Sequence, residues 1–257
     1  MKPLKDFIRP EAGIKYVLTD IDDTLTSNGK LESEAYAAMW KLHDAGIRVI
    51  PVTGRPAGWC DMIIRQWPVD AVIGENGAFA YFFEDSQLKS FVHPSVADGE
   101  SIKKLENIYA TVKEEIPLVR RARDQFARIY DLAIDFNEDP PKLGYQTAVK
   151  IRDICEEFGA EAKISSIHVN TWFGNYSKRD TAILFMKERY GLSEDEFMEQ
   201  AVFCGDSPND EPMFGYLPIS FAVANILDFR DILKNEPAFV ASKRGGKGFV
   251  EIASKLI

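Results

Sequence analysis

Three aspartates fall within four positions in YVLTDIDDTLTS: Asp20, Asp22 and Asp23, at the end of a short apolar run. Like charges this close repel, and carboxylates are poor strand formers, so the crowding calls for a compensating cation. A second acidic group, Asp206 and Asp210 in VFCGDSPND, also ends an apolar run. Hard oxygen ligands of this kind suit Mg²⁺. VIPVTGR brings a hydroxyl, Thr53, to the end of another run, with Gly54 and Arg55 beyond it. FGNYSKRD brings Lys178 to the start of a helical pattern. Carboxylates, a divalent cation, a hydroxyl and an ammonium together describe a site for a phosphate ester. The metal and Lys178 would neutralise phosphate charge, and Thr53 with backbone N–H groups, as at Gly54, would hydrogen-bond its oxygens. One carboxylate can attack phosphorus while another moves protons.

Such residues must be delivered to one edge of the fold. IKYVLTD, IRVIPVTGR and EQAVFCGDS read as buried strands. LESEAYAAMWKLHDAG and KRDTAILFMKERYG read as helices closed by Gly46 and Gly191. Strand–helix alternation of this type predicts an α/β fold, a Rossmann-like parallel sheet with helices on both faces, whose site lies beyond the carboxyl ends of the strands. The middle differs. ESIKKLENIYATVKEEI has one apolar helical face. FARIYDLAIDF predicts a strand with Phe126, Tyr130, Leu132, Ile134 and Phe136 on one side. In SSIHVNTWF, Ile167 and Val169 face inward, and Ser166, His168, Asn170 and Trp172 share the other face. This pattern predicts a smaller α/β domain, residues 85–169, inserted into a core made of residues 1–84 and 170–257.

The 257 residues are 46% hydrophobic and 28% charged, enough apolar content for a packed core. A net charge of −9 argues against a nucleic-acid or anionic-membrane surface. Cys60, Cys155 and Cys204 are scattered, as expected of reduced thiols. The N-terminus lacks the apolar core of a signal peptide, and no stretch is long enough to span a membrane. The expectation is a cytoplasmic protein without nucleic-acid or membrane partners, with monomer and homodimer both open.

DIDDTLT, VTGR, Lys178 and GDSPND, in that order, resemble the four motifs of the haloacid dehalogenase superfamily of phosphohydrolases. GENGA and GGKGFVE are similar to motifs of its Cof-like branch, subfamily IIB. That branch carries an α/β cap between the second and third motifs. Here Thr53 and Lys178 lie about 125 residues apart, where a plain crossover unit takes about 30. The resemblance implies that Asp20 is the nucleophile, forming an aspartyl-phosphate, and that Asp22 is the acid–base group. It implies Mg²⁺ held by the Asp20 carboxylate, the Asp22 carbonyl and the Asp206 carboxylate, with Asp210 close by. Thr53, Gly54, Arg55, Lys178 and Asn209 would surround the phosphate. Arg179 stands where the family often has glycine.

The implied activity is Mg²⁺-dependent hydrolysis of a small phosphorylated metabolite, a sugar phosphate or related organic phosphate. The alternatives are a phosphomutase like phosphomannomutase, a non-catalytic metal-binding or regulatory module, and a nucleotide-sugar transferase using Asp20 and Asp22. A calcium loop fails because its sixth position, normally glycine, is Leu25. Asn76, Arg128, His168 and Asn170 are candidate specificity residues. Thr53 is expected also to cap the helix near Pro56, and Asp23 to bond locally.

Overall fold

Strands buried on both faces show unbroken apolar runs, and the acid-bearing strands obey this rule. The computed structural model describes residues 1–96, 99–165 and 167–257. In it, Tyr16–Thr19 pairs in parallel with Ala201–Gly205, Cys204 opposite Thr19, and on its other side with Arg48–Pro51. Ser220–Ala222, Phe239–Val240 and Lys2–Pro3 extend the sheet outward, every pairing parallel. A bridge between Val52 and Ile73 attaches a three-stranded antiparallel meander, Ala71–Gly74, Phe79–Glu84 and Gln87–Val92.

Successive residues of one strand enter opposite cores. Val17 and Val49 pack with Met39 and Leu42 of the helix Ser33–Asp44, Ile63 of Ala57–Gln66, and Phe249 and Ile252 of Gly245–Leu256. Leu18 and Ile50 pack on the other side with Phe185 and Met186 of the helix Lys178–Tyr190, and with Phe197. Among the described residues no helix is long and apolar enough to cross a membrane. All three cysteines are free and buried.

A second sheet, ordered Glu161–Ile164, His168–Trp172, Leu132–Asp135, Arg120–Arg121, is antiparallel throughout. Leu132, Ile134 and Val169 pack against Leu105, Ile108 and Val112 of the helix Gly99–Glu115 and Ile151 and Ile154 of the helix Tyr145–Glu157. This sheet therefore has its own core. Its strand His168–Trp172 runs past residue 169.

Two local expectations fail. The strand expected from Phe126 begins only at Leu132; Phe126 sits in a short 3₁₀ turn and is 90% exposed. The backbone N–H groups of Ile129, Tyr130 and Asp131 all donate to the Glu75 carboxylate, so they cannot join a ladder. Nor does Thr53 cap a helix. Ala57–Gln66 starts after Pro56 without a side-chain cap, and Glu75 takes the Ala57 N–H.

Candidate active site

Parallel pairing sets the carboxyl ends of two adjacent strands side by side. Asp20 and Asp206 are each the first residue past their strand. The Asp20 N–H still donates to the Cys204 carbonyl at 2.9 Å, so the ladder itself aims that side chain. In the loop after Gly205, the Asp206 and Ser207 N–H groups donate to Asp210 Oδ2 at 3.0 and 3.4 Å. A Cβ on Gly205 would collide with that carboxylate, which is why glycine precedes the acid. Asn209 Oδ1 accepts from the Ser207 hydroxyl at 2.7 Å, so it shapes the loop.

Lys178 Nζ lies 2.6 Å from Asp20 Oδ1 and 3.1 Å from Asp210 Oδ1. Carboxylate oxygens of Asp20, Asp206 and Asp210 all fall within 4.8 Å of one another, and all three residues are buried. Thr24 Oγ1 reaches Asp206 Oδ1 at 3.4 Å. One ammonium does not balance three desolvated carboxylates. Burial pushes Asp20 up to about 7; Lys178 opposes this, and Asp210 and Asp22 add to it. Asp206 is pushed well above its ordinary range by burial, then by Asp210 and Asp20. Burial alone would lower Lys178, but Asp20 and Asp210 outweigh it and hold the ammonium charged. A hard divalent cation would relieve this excess, and three carboxylates are the donor set it prefers.

The Asp22 carboxylate stands outside that cluster. Arg55 grips both its oxygens, Nε to Oδ2 at 2.9 Å and Nη2 to Oδ1 at 2.7 Å. The guanidinium lies 4.4 Å from the centre of the Trp59 ring and 3.6 Å from Asp124. Thr53 is fully buried, and its Oγ1 accepts from the Arg55 N–H at 3.0 Å. The Asn76 N–H donates to the Thr53 carbonyl at 3.0 Å, and its side-chain amide packs against Gly54 with Nδ2 buried and unpartnered. Asp23 donates its N–H to Thr26 Oγ1 at 3.0 Å, and its carboxylate accepts from the Asn28 backbone. Arg179 pairs with its neighbour Asp180 at 2.8 Å, so Lys178 alone of the two is turned to the acids.

The expected specificity residues lie along the seam between the two sheets. His168 Nε2 is 2.8 Å from Glu138, whose carboxyl that hydrogen bond holds below its usual range. Asn170 Nδ2 donates to Asp131 Oδ2 at 3.1 Å. Trp172, on the same face, joins the core cluster and stacks on Tyr176. That face is thus covered by the core at Trp172, while His168 and Asn170 are buried against Glu138 and Asp131; Ser166 lies outside the described residues. Arg128 is buried against Asp131 and the Gly54 carbonyl.

Glu75 is the residue that sequence reasoning missed. It is fully buried with a positive φ of 45°. Its carboxylate accepts from the N–H groups of Ala57 (3.0 Å), Ile129 (2.9 Å), Tyr130 (2.6 Å) and Asp131 (3.2 Å). It therefore ties the start of the Ala57–Gln66 helix to the segment leading into the second sheet. The available signal was an acid inside GENGA, directly after a buried strand. Gly58 completes the joint, since a Cβ there would come within 2.9 Å of the Ala127 Cβ. Gly58→Ala improves helix propensity by up to about 1 kcal/mol. Even so, it should speed amide exchange at Ile129–Asp131 by pushing the segment away; unchanged exchange would show that the joint tolerates the wedge.

The family model described as haloacid dehalogenase-like hydrolase matches residues 17–123. A phosphoglycolate phosphatase of Methanobrevibacter smithii is 23% identical over 248 residues, which cover 95% of this chain and 99% of that protein. Among solved structures, a Thermoplasma acidophilum protein superposes with a TM-score of 0.73 at 21% identity, covering 95% of this chain and 98% of its own. The sucrose-phosphatase of Synechocystis, solved with sucrose and phosphate, gives 0.65 at 15% identity, with coverages of 95% and 98%.

Proposed function

We propose that the chain is a phosphatase of the haloacid dehalogenase type, a Mg²⁺-dependent phosphomonoesterase working through an aspartyl-phosphate; the family model over residues 17–123 and the phosphoglycolate phosphatase relative support this reading. One observation carries the proposal: Asp20, Asp206, Asp210 and Lys178 form one buried cluster at adjacent strand ends.

An Asp20 oxygen attacks phosphorus as the bond to the leaving oxygen breaks. Asp22 gives that oxygen a proton, and the alcohol departs. Asp22 then takes a proton from water, which attacks the phosphorus and frees Asp20 and inorganic phosphate. Both Asp22 oxygens sit on Arg55 here, so one must leave the guanidinium to reach the substrate. Lys178 lowers the repulsion between Asp20 and the incoming phosphate, and the Thr53 hydroxyl can donate to a phosphoryl oxygen. Asp20, Asp206 and Asp210 would hold the Mg²⁺, which supplies charge neutralisation at the phosphoryl oxygens.

The second sheet and its two helices, from Gly99 to Trp172, act as the cap, and its buried seam with the core favours small substrates. Phosphoglycolate and sugar phosphates lead the candidates, following the relatives' names. Phosphate release from a panel of both, and from p-nitrophenyl phosphate, tests the reading. Chelation by EDTA should abolish release and excess Mg²⁺ should restore it. Activity that survives EDTA would remove the metal from the proposal. An isomerised sugar phosphate formed without phosphate release would replace hydrolysis by mutase chemistry.

A further inference from the structure

The phosphate-binding loop Thr53–Arg55 is gripped from the inserted domain. The Arg128 side chain is 2% exposed. Its Nη1 donates to both Asp131 oxygens, at 2.8 and 3.0 Å, and across the seam to the Gly54 carbonyl at 3.0 Å. Its Nε faces Asp124 Oδ1 at 3.7 Å, and Asp124 Oδ2 faces Arg55 Nη1 at 3.6 Å. Asn170 steadies Asp131 from the other side. Burying a guanidinium is costly unless it is paired, and Asp131 and Asp124 supply the pairing. The bond to Gly54 is not needed for neutralisation.

The Gly54 carbonyl and the Arg55 N–H belong to one planar peptide unit. Its N–H end donates to Thr53 Oγ1 at 3.0 Å. The unit is therefore held at both ends, by Arg128 from the cap and by Thr53 from the core. A hydroxyl that accepts the Arg55 N–H must direct its own hydrogen elsewhere, which leaves it free to donate to a phosphoryl oxygen. A flip of this peptide would turn the Gly54 oxygen toward Thr53 Oγ1, and the hydroxyl hydrogen would be drawn to it.

We propose that Arg128 is a positioning residue: when the cap is docked, Arg128 fixes the Gly54–Arg55 peptide and so orients the Thr53 hydroxyl toward the phosphoryl group. The proposal rests on the phosphatase reading above. It makes cap docking and phosphoryl binding reciprocal, each favouring the other. It also makes the effect of Arg128 independent of the leaving group, unlike that of a residue contacting the substrate's organic part.

The test uses the full chain with Mg²⁺ and follows inorganic phosphate binding by calorimetry, a readout without turnover or leaving group. Arg128→Ala should weaken phosphate by about tenfold or more, the worth of a charge-assisted hydrogen bond. It should lower kcat/KM for p-nitrophenyl phosphate and for the best metabolite by the same factor. Added guanidinium ion should restore phosphate binding. Arg128→Lys preserves the charge opposite Asp131 but cannot serve Asp131 and Gly54 together, so it should fold and still bind phosphate poorly. Phosphate binding equal to wild type in Arg128→Lys, or a kinetic loss confined to one substrate, overturns the proposal. A wild-type protein that binds no phosphate overturns the phosphatase reading, and this proposal with it.

Discussion

Asp20→Asn should lower kcat on the order of 10⁴-fold or more for every phosphate ester the enzyme accepts. The substitution preserves shape and leaves Lys178 and Asp210 paired, but an amide oxygen is a poor nucleophile toward phosphorus. Loss of the nucleophile is independent of the leaving group, so p-nitrophenyl phosphate and the best metabolite should fail together. Wild-type enzyme quenched in acid during turnover should carry one phosphoryl group on the peptide containing Asp20, and the variant none. A variant that keeps turnover within about tenfold of wild type would move the nucleophile elsewhere. Thermal unfolding near the wild-type temperature would exclude misfolding as the cause, because the charge removed is one that burial already disfavours.

Glu75→Ala should destabilise the chain by about 3–5 kcal/mol, in line with losing a buried charged partner. Four backbone N–H groups, at Ala57, Ile129, Tyr130 and Asp131, lose the carboxylate they donate to. The expected signature is a lowered urea midpoint with loss of exchange protection at those four amides above all. Protection that persists there would mean that water or a neighbouring group replaces the carboxylate. Glu75→Gln isolates the charge. Burial, and then Asp131, raise the Glu75 pKa from 4.5 to about 7, with the Tyr130 and Ile129 N–H groups opposing. The folded protein therefore holds this proton more tightly than the unfolded chain. The resulting stabilisation is fully present below pH 4.5 and is lost as pH rises through about 7. Wild-type stability relative to Glu75→Gln should thus fall between those limits. Parallel pH profiles for the two proteins would show that Glu75 does not titrate there.

Asp20, Thr53, Lys178 and Asp206 each mark an element end, and such ends are read from local apolar periodicity. In a parallel α/β sheet, carboxyl-end residues of neighbouring strands converge whatever the details of packing. Chain direction thus brings the acids and Lys178 to one edge, over sequence gaps such as the 158 residues between Asp20 and Lys178. The parallel direction of the core strands was legible for the same reason, since strand–helix alternation leaves few right-handed solutions.

What the amino-acid order determined by itself, then, was the set of candidate reacting groups and the edge on which they meet. Tertiary structure alone decided which partner each group takes. Asp22 is bound to Arg55 rather than to the acid cluster. Arg128 turns inward to Asp131 and Gly54 instead of toward a cleft, and Glu75 gathers N–H groups from two separate segments. The physical reason is that periodicity reports whether a side chain is buried, not what it is buried against. A buried polar group must find a partner, and for Glu75 and Arg128 those partners include groups 54 and 74 residues away along the chain.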